Sequence, residues 1–106
     1  MKDLARIAKV PDVRSAVLGD QAGGFFDAVG EPEGEAVAAV MGYFASSMGA
    51  AGEALGLGAI DRISLVGKAR AVVIFVQGKT VLAANVEPAS SLSAAEKALE
   101  SSIQGA

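Results

Sequence analysis

The stretch between Pro32 and Gly58 constrains this chain more than any other. It reads as one long helix from Glu33 to about Leu55. Pro32 suits a first turn, where its missing N–H is not needed, and Glu31, Glu33 and Glu35 bring negative charge to the positive end of the helix dipole. Gly56 and Gly58 supply the stop. Two adjacent stripes run along the helix at alternating spacings of four and three. Ala38, Gly42, Ala45, Gly49, Gly52 and Gly56 are small, whereas Val37, Met41, Phe44, Met48, Ala51 and Leu55 are mostly large and apolar. Such a helix has more than one face to bury.

An internal glycine costs a helix about 1 kcal/mol relative to alanine, so Gly42, Gly49 and Gly52 together cost roughly 3 kcal/mol. Close approach of another backbone onto the small stripe offsets that cost. Two arrangements provide it: an Ala/Gly-rich core helix inside a monomer, or a helix shared between a sheet and a second subunit. A membrane span does not. The uncharged run from Ala36 to Gly52 contains Ser46 and Ser47, leans on Ala and Gly, and falls short of the about 20 strongly apolar residues a bilayer requires.

With 106 residues the chain is expected to form one domain, 1–106. Its 52% hydrophobic content and mean hydropathy of +0.44 exceed what so small a unit can hide within itself, which makes a homodimer the expected outlet. A net charge of −3 leaves no basic surface for phosphates and argues against nucleic acid and anionic membranes as partners. Cysteine and histidine are both absent, which removes disulfides, thiol nucleophiles, zinc sites and the common general bases. The N-terminal MKDLARIAKV alternates charged with apolar residues and does not resemble a signal peptide, so a cytoplasmic location is expected.

Along the chain, Lys2 to Lys9 places Leu4, Ile7 and Ala8 on one face of a short helix, started by Asp3 and ended at Val10-Pro11. Val13 to Leu18 and Phe25 to Val29 read as strands joined by the Gly19–Gly24 turn. After the long helix, Ala59–Val66, Ala69–Val76 and Thr80–Val86 form a meander through tight turns at Gly67-Lys68 and Gln77-Gly78-Lys79. AVVIFV is apolar on both faces and belongs inside a sheet covered on both sides. A last helix follows Pro88, with Ser93 and Glu96 spaced as a capping box and Leu92, Ala95, Leu99 and Ile103 on its apolar face.

This order resembles the roadblock/LC7 family. The resemblance rests on the PDVRSAVLGDQAGGFF hairpin, the Ala-rich helix from Glu35 to Leu55, the LGLGAIDRISLVG passage and VVIFVQGKTVLAANV with its glycine turn. It covers about Leu4 to Ile103. It implies an α+β fold, α-β-β-α-β-β-β-α, whose five-stranded antiparallel sheet runs 2-1-5-4-3, with the long helix on one face and the terminal helices on the other. It further implies a homodimer in which third strands pair and long helices lie side by side. On that basis Ala38, Gly42, Ala45, Gly49, Gly52, Ile60, Arg62, Ser64 and Val66 are the expected dimer interface.

Little else suggests chemistry. Glu31, Glu33 and Glu35 complement the helix dipole on a solvated face, and GLGLGAI precedes a strand, the reverse of the strand-loop-helix order of a phosphate loop. Lys68 and Arg70, near Arg62, form the one basic spot: either a solvated strand end or a docking point for an acidic partner. No catalytic residue, cofactor or metal site is expected. The resemblance implies a non-enzymatic prokaryotic regulator that binds and modulates a small Ras-like GTPase or other NTPase; the alternative is a scaffold that assembles a complex without one.

Overall fold

The computed structural model describes residues 3–105. The elements run α1 (Leu4–Ile7), β1 (Val13–Asp20), β2 (Phe25–Val29), α2 (Gly34–Ala54), β3 (Arg62–Val66), β4 (Ala71–Gln77), β5 (Thr80–Val86), a 3-10 turn at Ala89–Ser91, and α3 (Leu92–Gly105). The strands form one antiparallel sheet in the order β2-β1-β5-β4-β3. This is the α+β architecture and strand order expected from the resemblance. Lys2 and Ala106, at the two ends of the expected elements, lie outside the described residues.

The sheet carries a core on each face. Val73, Phe75, Leu82, Ala84 and Val86 pack with Leu4 and Ile7 of α1 and Ala95 and Leu99 of α3. On the other face Val17, Ile74, Val81 and Ala83 pack with Ala38, Met41 and Ala45 of α2. β4 feeds both cores, Val73 and Phe75 one and Ile74 the other, as its two-sided apolar run requires. Full burial of Met41 alone contributes about 1.5–3 kcal/mol to holding α2 on the sheet.

Local chemistry sets the limits of the elements. Asp3 caps α1 by accepting the Arg6 N–H at 3.1 Å. β1 runs two residues past Leu18, because Gly19 and Asp20 pair with Val81 and Thr80 of β5; that long-range partner outweighs the turn-forming character of Gly and Asp. Asp20 then organises the turn, its Oδ1 accepting the N–H groups of Ala22 (2.9 Å) and Gly24 (2.8 Å). β3 begins at Arg62 and not at Ala59, because Gly56 and Gly58 both hold left-handed backbone and Ile60 turns in to pack beside Gly52. The capping box does not form. Ser93 lies within α3, which grows directly out of the 3-10 turn, and Glu96 reaches across to β3.

Candidate functional site

α2 resolves which of its stripes meets the sheet. Ala38, Gly42, Ala45 and Gly52 are buried inside their own chain, so they are not the surface that a second subunit meets, and their assignment to a dimer seam is corrected. The reason is steric. A Cβ on Gly42 would lie 2.7 Å from the Gly23 nitrogen and 2.9 Å from the Asp20 carbonyl oxygen, so the β1–β2 turn rests directly on the helix backbone. A Cβ on Gly52 would lie 2.7 Å from the Ile60 side chain. Ser46 strengthens the first contact by donating from Oγ to the Gln21 carbonyl at 3.0 Å. Gly49 differs: a Cβ there would meet nothing within 4 Å. It lines an open cleft of about 400 Å³ with Gln21, Glu53, Ile60 and Asp61.

The outward side of α2 is apolar as well. Val40, Tyr43 (71% exposed), Met48 and Leu55 (74%) all face solvent. Val40 and Tyr43 belong to neither stripe, and only their three-residue spacing in an otherwise Ala-rich helix signals them. Tyr43 sets its ring edge-on to Phe44 with centroids 6.3 Å apart. α2 rests mainly on β1, β2 and β5, so the β3 end of this sheet face stays open. There Leu65 is exposed, while Ile63, Val72, Val76 and Phe44 are only partly covered. Val66, 65% exposed, ends β3.

β3 is an edge strand that pairs with β4 alone. Two of its expected interface residues direct their side chains back into their own chain. Arg62 Nε lies 3.6 Å from Glu96 Oε2, its Nη1 donates to Glu100 Oε2 at 3.3 Å, and its guanidinium sits 6.0 Å from the centre of the Phe75 ring. Ser64 Oγ donates to Glu96 Oε1 at 2.9 Å. One α3 carboxylate thus holds two alternate residues of β3, and the outer edge offers backbone and Val66 rather than Arg62 or Ser64. Ile60 precedes the strand and packs on α2. Of the basic spot, Arg70 pairs with Glu87 at 3.8 Å, which also meets Arg14 at 4.0 Å, and Lys68 lies exposed before β4.

No helix among the described residues is long and apolar enough to cross a membrane. No protein-family profile matches the chain, and no curated protein matches it by sequence. Its shape has clear counterparts among solved structures. A roadblock/LC7 domain from Streptomyces avermitilis superposes with a TM-score of 0.77 at 21% identity, over 99% of this chain and 95% of that one. Myxococcus xanthus MglB superposes at 0.72 with 14% identity, over 95% of this chain and 91% of that one. An MglB described with a tetrameric arrangement superposes at 0.74 with 15% identity, over 91% of this chain and 78% of that one. Together with the strand order and the two-sided helical cover, these likenesses establish that the chain has the roadblock/LC7 fold.

Proposed function

We propose that the protein works as a homodimer that binds a small Ras-like GTPase or other NTPase and modulates its nucleotide cycle, without itself being an enzyme. The observation that carries this reading is the apolar surface left uncovered by the chain's own fold: Val40, Tyr43, Met48 and Leu55 along α2, with Leu65 and Val66 at the open β3 edge. An exposed strand edge flanked by apolar side chains is an association surface. Edge pairing between two β3 strands supplies backbone hydrogen bonds, and removing apolar area contributes about 25 cal/mol per Å². The tetrameric arrangement of a like-folded MglB supports self-association. The dimer seam is then the outward face of α2, not its small stripe.

The regulatory role follows from the roadblock resemblance and is supported by the MglB likenesses. A dimer of this kind acts by presenting a composite surface, with no side chain entering the chemistry. Within the basic spot, Lys68 is an exposed cation available to an acidic partner. A cytoplasmic, prokaryotic setting belongs to the same reading. The test is GTP hydrolysis by a small GTPase encoded beside this chain, measured with and without the protein. A changed rate with direct binding supports regulation. A stable dimer that neither binds such a GTPase nor alters its rate removes the regulatory reading and points to the scaffold that assembles a complex without an NTPase.

A further inference from the structure

The sheet has a second open edge whose chemistry differs from that of β3. β2 pairs only with β1, at the opposite end of the strand order. Its register slips so that Gly19 faces Phe25 while Leu18 faces Asp27, leaving Phe26 as the extra residue of a bulge. Phe25 and Phe26 are both exposed, Phe26 at 56%. Adjacent exposed phenylalanines on an unpaired edge are what a partner strand covers. Beyond the strand, the chain turns into α2 and brings Glu31, Glu33 and Glu35 to the rim of a cleft of about 340 Å³, with Phe25 on its wall. Asp27 adds a fourth carboxylate on β2 itself. Among the described residues none of the four carboxylates forms an ion pair, and no three acidic groups converge as ligands for a metal ion.

We propose that the β2 edge is a docking site for a short, extended, basic segment of another protein. The backbone of that segment pairs with β2, its apolar side chains cover Phe25 and Phe26, and its Lys or Arg residues lie against Glu31, Glu33 and Glu35. Charge selects the occupant. Antiparallel pairing of β2 with the same edge of a second copy would bring Asp27 and the glutamates of each chain toward those of the other, and like charges across a ladder are destabilising. A cationic side chain, in contrast, gains the carboxylates and the exposed ring faces together. This surface is separate from the one proposed for dimerisation and does not depend on it.

The test titrates the isotope-labelled protein with a short peptide of alternating Lys and Val, with an alternating Glu and Val peptide as control, following backbone amide signals. Saturable shifts confined to Phe25–Val29 and to residues 31–36, weakening with salt, are expected. Neutralising the rim with Glu31→Gln, Glu33→Gln and Glu35→Gln should weaken binding by at least about tenfold, or about 1.4 kcal/mol. Phe26→Ser, at an exposed site that leaves the cores untouched, should weaken it as well, whereas Val66→Lys at the other edge should leave it unchanged. Shifts located elsewhere, or equal binding of the acidic peptide, would overturn the proposal. A fall in the light-scattering mass of Phe26→Ser would also overturn it, by giving the edge to a second copy.

Discussion

Gly42 and Gly49 stand two helical turns apart on the same stripe, yet the structure makes opposite demands on them. At Gly42 the turn backbone leaves no room for a methyl group, so Gly42→Ala must push the Asp20–Gly23 segment outward and should destabilise the protein by about 1–3 kcal/mol. At Gly49 the space is open, and Gly49→Ala should stabilise by up to about 1 kcal/mol through helix propensity alone. Chemical denaturation of the two variants checks both signs. Spacing showed that both residues share a face, but not which of them is crowded. Crowding is decided at Gly42 by the Asp20–Gly23 turn, some twenty residues earlier in the chain, and at Gly52 by Gly58 and Ile60, where the chain folds back after the helix, and neither contact is legible in helical spacing. The same limit explains the misplaced interface: Ala38 and Ala45 are as suited to a sheet as to another helix, and only the folded sheet claims them.

At the level of elements, turns and apolar alternation located every strand and the long helix, because those signals are local. β2 and β5 match their expected limits, and β3 does not, since its start depends on where Ile60 finds a pocket. The Ser93–Glu96 pair shows how one spacing admits two readings, of which the fold uses one. Read locally it is a cap, but in the fold Glu96 fastens the edge strand to α3 through Ser64 and Arg62. β3 otherwise hangs on β4 alone, so Glu96→Ala should loosen it selectively. Amide hydrogen exchange should quicken across Arg62–Val66 by about five- to tenfold, the effect of about 1 kcal/mol from a partly exposed ion pair and its hydrogen bond, while β1 and β5 keep their protection.

For the whole molecule, the expected outcome of light scattering at micromolar concentration is the mass of a dimer. Tyr43→Lys combined with Val66→Lys should halve it without unfolding the chain, because both side chains project into solvent and contribute to neither core. An unchanged mass would place any self-association elsewhere on the surface. The sheet order gives the molecule two free borders, and they are unlike: β3 is straight and apolar at its end, whereas β2 is bulged and edged with carboxylates. An assembly that joined β3 of one copy to β2 of the next would be head-to-tail, with nothing to stop it lengthening into a filament. Joining β3 to β3 is isologous and closes after two copies, leaving both acidic borders facing outward at the far ends. In the proposed dimer the like charge of those two outward borders would keep further copies from joining β2 to β2, so that growth would end at a finite, symmetric particle.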